Sequence, residues 1–159
     1  SSNMEIIVQQ FKPPKHENTL FLDRDGVLIH TVERDGYRSS VRHWNEVKLT
    51  VICEMLKNIQ GWNLVMITNQ PDLAKGFIDE EFLRKVHSHI ALNIPLNMAF
   101  TCPHKEEDNC NCRKPKTRLI NMFHGIYNLK GKEYMIGDTW RDRDCAEAAG
   151  IPFILLEGL

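Results

Sequence analysis

The chain has 159 residues, a length that suits one domain at roughly 100–200 residues apiece. Hydrophobic residues make up 42% and charged residues 26%, so it can bury a core and is not a disordered polar chain. A formal net charge of -1 argues against nucleic-acid or anionic-membrane partners, and no apolar run approaches the ~20 residues needed to cross a bilayer.

Residues 1–18 read as a leader. Ser1 to Gln10 lacks the basic start and long apolar stretch of a secretory signal, and Ser1-Ser2-Asn3 ahead of Met4 reads as a cloning remnant. Residues 4–18 are polar, contain Pro13-Pro14, and are expected to be flexible or draped over the surface. Residues 19–159 then form a single domain. Its first element is a buried strand, Thr19 to Leu22, ending in Asp23 with Gly26 as a breaker. A turn-rich stretch with Asp35-Gly36 follows, and then a helix from Glu46 to Ile59 closed by Gly61.

Leu64 to Ile67 is a second buried strand, leading to Thr68-Asn69-Gln70-Pro71. Asp79 is placed to cap a helix running to about Leu92, with Phe82, Leu83, Val86 and Ile90 at helical spacing. A short strand at 98–100 enters a cysteine loop, and a helix spans 118–128. Tyr134 to Ile136 is a strand ending at Gly137-Asp138, Asp142 to Ala149 a helix stopped by Gly150, and 153–156 the last strand. Alternation of strand and helix predicts an α/β fold: a Rossmann-like, doubly wound parallel sheet covered on both faces. Ligands of such sheets bind beyond the carboxyl ends of the strands. Asp23-Arg24-Asp25, Thr68-Asn69 and Gly137-Asp138 all stand there.

In an extended chain Asp23 and Asp25 share a face, so both carboxylates could enter one site. Two close carboxylates repel unless a cation or a shared proton intervenes. A hard cation such as magnesium would keep one ionised, and the other could carry a proton. Asp-Arg-Asp-Gly alone is equally a plain turn. Thr68, Asp138, Asp142 and the fixed charge of Lys114 make the difference, because phosphoryl transfer needs such a set around its oxygens.

Asp23-Arg24-Asp25-Gly26-Val27, Ile67-Thr68-Asn69-Gln70, Arg113-Lys114-Pro115 and Gly137-Asp138-x-x-x-Asp142 resemble the four motifs of the haloacid dehalogenase superfamily, in that superfamily's order. The resemblance spans about residues 19–156. It implies an aspartyl-phosphate on Asp23, with Asp25 as general acid and then base. It also implies phosphoryl binding by Thr68, Asn69 and Lys114, and magnesium on Asp23, the Asp25 carbonyl and Asp138. Asp142 would support the metal's shell or orient Lys114.

Cys102-x-His104-x5-Cys110-x-Cys112 offers three sulfurs and an imidazole, a set that structural zinc takes with no position left open. Three of the five cysteines fall in this one polar loop, which favours a metal and a reducing, cytoplasmic setting over disulfides. The loop also resembles the clade of heptose-1,7-bisphosphate and histidinol-phosphate phosphatases, which have no cap domain. There Arg113 would bind the part of the substrate remote from the reacting phosphate.

Asp35-Gly36-Tyr37 and Leu73-Ala74-Lys75-Gly76-Phe77 resemble the heptose arm, and the short zinc loop resembles the histidinol arm. The resemblance thus implies a D-glycero-D-manno-heptose 1,7-bisphosphate 7-phosphatase, with histidinol-phosphate phosphatase as the alternative. A nucleic-acid 3′-phosphatase and a non-catalytic zinc-stabilised domain stand behind these. The partner is a small phosphorylated metabolite and the protein is expected to be a monomer. His87 and His89 are expected at the surface or partly packed, Cys53 and Cys145 as small hydrophobes, and Trp140 in a packing role. His30, Tyr37, Arg38 and His43 read equally as substrate contacts or a solvated loop.

Overall fold

The computed structural model describes residues 4–159; Ser1–Asn3, expected to be a cloning remnant, lie outside the described residues. The described residues form twelve strands and α-helices: β1 (Ile7–Gln10), β2 (Asn18–Leu22), β3 (Val32–Arg34), β4 (Tyr37–Ser39), α1 (Val51–Leu56) and β5 (Trp62–Asn69), then α2 (Glu80–Asn93), β6 (Leu96–Cys102), α3 (Arg118–Ile126), β7 (Glu133–Gly137), α4 (Trp140–Ala149) and β8 (Phe153–Leu155). The main sheet has the order β1-β6-β5-β2-β7-β8. From β6 to β8 all neighbours are parallel. β2 is central, with crossovers leaving in both directions, so the crevice for ligands opens at its carboxyl end.

Alternation along the strands sorts the core into two layers. Leu20, Leu22, Leu64 and Met66 pack with Ile52, Leu56, Val86 and Ile90 of α1 and α2. Phe21, Val65 and Ile67 face the other way, onto Leu119, Ile120 and Phe123 of α3 and onto Cys145 and Ala146 of α4. Cys53 and Cys145 are buried as expected, and burial pushes both thiols up to about 11.

Two expectations are corrected. The stretch 4–18 is not a loose leader: β1 pairs antiparallel with β6, from Ile7 opposite Thr101 to Gln10 opposite Met98, so the sheet is mixed. The β-branched run Ile6-Ile7-Val8 has the propensity to extend, and β1 covers β6 and leaves a short four-residue strand at the sheet edge. The helix expected from Glu46 begins only at Val51, where the Thr50 hydroxyl accepts from the Ile52 N–H at 3.2 Å. Residues 47–49 are needed in extended form, because Leu49 bridges Ile29 and the Lys48 carbonyl accepts from His30. Between Asp25 and Thr68 lie the β3–β4 hairpin, a 3₁₀ turn at Trp44–Glu46 and α1. Among the described residues no cap domain stands over the site. No helix among them is long and apolar enough to cross a membrane.

Candidate active site

β2, β5 and β7 end side by side and deliver Asp23, Thr68-Asn69 and Asp138 to one edge. The Lys114 ammonium, nearly fully buried, fills the space between them. It donates to Asp23 Oδ1 at 3.0 Å, Asp142 Oδ1 at 2.7 Å and the Ile67 carbonyl at 2.8 Å. Burial opposes its charge, but Asp142 and Asp23 outweigh burial and hold its pKa above the usual lysine value. Asp142 Oδ2 accepts from the Thr139 hydroxyl at 3.0 Å and from the Asp138 and Thr139 N–H groups, which caps α4. Both oxygens of Asp142 are therefore engaged in holding Lys114 and the turn after β7.

Burial pushes the Asp23 carboxyl well up; Asp142 and Asp25 add to this and Lys114 only partly offsets it. Burial pushes Asp25 the same way, but the Arg24 guanidinium, Ser40 and Gln70 outweigh it and hold that carboxyl below the usual range. The two aspartates are thus driven apart in proton affinity by different neighbours. Asp138 has one oxygen, Oδ2, in an ion pair with Arg38, while Oδ1 is buried without a hydrogen-bond partner. Gly26, at φ +82°, permits this approach, since a Cβ there would collide with the Asp138 carboxylate. Carboxylate oxygens of Asp23, Asp138 and Asp142 all lie within 4.8 Å of one another.

The cleft over these groups has a volume of about 320 Å³ and is rimmed by Arg38, Arg113 and Arg141. A second cleft adjoins it, sharing Arg113, Lys114 and Arg141 and adding Lys116 and Trp140. Trp140 is half exposed with the Arg141 guanidinium 4.9 Å from its ring centre, not packed as expected. Thr68 is fully buried, its hydroxyl accepting from Gln70 Nε2 at 2.8 Å. Asn69, expected on phosphate, lines the cleft, and its amide binds the Lys114 backbone, accepting from its N–H at 2.9 Å and donating to its carbonyl at 3.1 Å. Of the four loop residues left open, Arg38 lines the cleft, as do Thr31, Ser39 and Ser40. Ser40 donates to Asp25 at 2.7 Å, a contact with no sign in the sequence.

His87 is a further correction: it is fully buried, not at the surface, with its Nε2 facing Arg24. Its place between Leu83 and Ile90 on α2 is the signal that could have found it.

Cys102, His104, Cys110 and Cys112 gather their ligand atoms within 4.8 Å, as expected. His104 Nε2 donates to the Met4 carbonyl at 2.7 Å, which leaves Nδ1 facing the sulfurs. The Cys112 thiol beside it draws the Cys102 thiol down to about 5. The chemistry of this donor set fits structural zinc. Arg113 and Lys114 follow directly, so the loop presents both to the cleft.

Residues 18–153 match the family Polynucleotide kinase 3 phosphatase. The chain is 30% identical over 146 residues to the D-glycero-beta-D-manno-heptose-1,7-bisphosphate 7-phosphatase of Neisseria meningitidis serogroup A, covering 87% of this chain and 77% of that protein. It is 33% identical over 140 residues to the histidine biosynthesis bifunctional protein HisB of Actinobacillus pleuropneumoniae, covering 84% of this chain and 38% of that longer protein. The crystal structure of D,D-heptose 1,7-bisphosphate phosphatase from B. bronchiseptica, complexed with magnesium and phosphate, matches with a TM-score of 0.73 at 27% identity, over 87% of this chain and 79% of that one. With the aspartates, the lysine and the sheet order in place, the chain belongs to the Polynucleotide kinase 3 phosphatase family and is a phosphatase of the haloacid dehalogenase fold.

Proposed function

We propose that the protein hydrolyses D-glycero-D-manno-heptose 1,7-bisphosphate at its 7-phosphate, through an aspartyl-phosphate on Asp23. The observation that carries this reading is the convergence of Asp23, Asp138 and the Lys114 ammonium at the mouth of one cationic cleft. The orphaned Asp138 Oδ1 beside Asp23 fits a divalent cation, which Asp23, the Asp25 carbonyl and Asp138 would hold. Magnesium there would keep Asp23 ionised against burial and offset charge on the phosphoryl oxygens.

In the first half, an Asp23 carboxylate oxygen attacks phosphorus and the ester P–O bond breaks. Asp25 gives its proton to the departing alkoxide. The resting site holds Asp25 ionised; the incoming phosphate, a like charge, raises its hold on a proton, which it takes up from solvent before the ester bond breaks. In the second half Asp25 takes a proton from water as that water attacks the aspartyl-phosphate, freeing phosphate and Asp23. Lys114 balances charge on the phosphoryl oxygens. Because the Thr68 hydroxyl oxygen already accepts from Gln70, its proton is left to donate, the polarity a phosphoryl oxygen needs.

The adjoining cleft supports a bisphosphate, since Arg113, Lys116 and Arg141 supply cations beyond the reacting group. The 33% identity to HisB and the short loop from His104 to Cys110 favour histidinol phosphate as the second reading. Five free cysteines, three of them in the metal loop, support a reducing compartment. The test is phosphate release, with magnesium, from both anomers of the heptose bisphosphate, histidinol phosphate and a 3′-phosphorylated oligonucleotide. A kcat/KM preference for the heptose of at least about ten-fold, or 1.4 kcal/mol, supports the proposal. Preference for either other substrate overturns it.

A further inference from the structure

Behind Asp25 a chain of buried side chains leads away from the cleft to the sheet edge. Arg24, 1% exposed, lies between the two aspartates in sequence but points inward. Its Nε donates to Asp25 Oδ1 at 3.0 Å, and its second terminal nitrogen to Gln70 Oε1 at 2.8 Å. Gln70 in turn donates to Asp25 Oδ2 at 3.0 Å, so guanidinium and amide grip the carboxylate from two sides. The other terminal nitrogen of Arg24 faces His87 Nε2 at 3.2 Å, and His87 Nδ1 faces Gln9 Oε1 of β1 at 2.8 Å.

A guanidinium can only donate, so His87 Nε2 accepts and the ring proton sits on Nδ1, donated to Gln9. Burial first, then Arg24 and Arg84, hold His87 far below its usual pKa, which keeps that nitrogen available. The acceptor's neutrality matters. A carboxylate in its place would compete for the charge of Arg24, whereas neutral imidazole fixes the plane of the guanidinium and leaves the charge to Asp25. A buried guanidinium is costly to keep, and apolar packing there would be no less stable.

We infer that His87, acting through Arg24, is a positioning residue for proton transfer by Asp25, and that Gln9 on the edge strand fixes His87 in turn. This rests on the phosphatase reading above. His87 touches no reacting atom. It sets the angle at which the Asp25 carboxyl meets the leaving oxygen, so its loss should be felt only where that oxygen needs a proton.

The experiment compares kcat/KM for heptose 1,7-bisphosphate, whose alkoxide leaving group must be protonated, with p-nitrophenyl phosphate, whose phenolate leaves without help. His87→Leu removes the acceptor; His87→Gln restores an acceptor at about the position of Nε2; Gln9→Leu loosens the far end. Of the roughly 10²–10⁴ that a positioned general acid supplies, His87→Leu should forfeit about ten-fold in the alkyl-to-aryl ratio. Gln9→Leu should lower the ratio less, and His87→Gln should recover most of it. A purely structural role would lower both esters alike, and an unchanged ratio in His87→Leu and Gln9→Leu overturns the inference. Should His87→Leu fail to fold, Gln9→Leu against wild type decides by the same ratio. Wild-type protein that releases phosphate from neither ester would fail the phosphatase reading itself, and the inference with it.

Discussion

Asn69 holds the backbone of Lys114 at both its N–H and its carbonyl, 45 residues further along the chain. The amide ties the end of β5 to the loop that carries the ammonium, so Lys114 reaches Asp23 from a fixed base. Asn69→Ala should lower kcat/KM about ten-fold, since two hydrogen bonds at ~1 kcal/mol each are lost and the ammonium drifts. Steady-state kinetics alongside circular dichroism would check this; an unimpaired rate would return Asn69 to the role of bystander.

Asp23→Asn should cut turnover at least about a thousand-fold, because an amide is no nucleophile. Its melting temperature, taken without divalent cation, should be no lower than wild type. The fold raises the proton affinity of Asp23, so its charged form is a burden that Asn lacks. A large fall in melting temperature would mean that the contact with Lys114 outweighs that burden.

Arg38 occupies Asp138 from the exposed β3–β4 hairpin. Exposed ion pairs are worth ~0.2–1 kcal/mol, so Arg38→Ala should tighten magnesium binding by about two- to five-fold in calorimetric titration without substrate. Weaker binding would show that Arg38 helps the cation rather than competing with it.

Treating the protein with a strong chelator, or replacing Cys110 by Ser, should release zinc and lower the melting temperature by about 10 °C or more. Metal analysis beside a thermal melt is the check. Protein that never carried zinc, yet melts normally, would contradict the assignment of the loop.

Glu46 binds Arg34 and accepts from the Arg42 and His43 N–H groups, and the Arg34 hydrogen bond foremost brings its pKa from 4.5 to about 2. A depressed carboxyl contributes stability that is complete above its unfolded pKa and lost as pH falls through the folded one. Wild type should therefore melt above Glu46→Gln at about pH 6, with the gap closing between 4.5 and about 2. A gap that persists at the acid end would place the effect elsewhere.

Much of the site was legible because strands announce their ends. Thr19 to Leu22 is apolar and Asp23 is not, and the same punctuation marks Thr68 and Asp138. The zinc ligands were legible from spacing. β1 was not, because its partner lies some ninety residues on and four residues show little alternation. Val47 sits at helical spacing from Val51, yet the pairing of Leu49 with Ile29 draws this stretch straight. Nothing in Asp-Arg-Asp tells that the middle side chain turns inward, and the partners that hold it there, Gln70 and His87, lie 46 and 63 residues away.

The first described residues touch two working parts at once. Met4 offers its carbonyl to His104 in the metal loop, and Gln9 offers its amide oxygen to His87. A protease cut between these two residues would slacken both parts together.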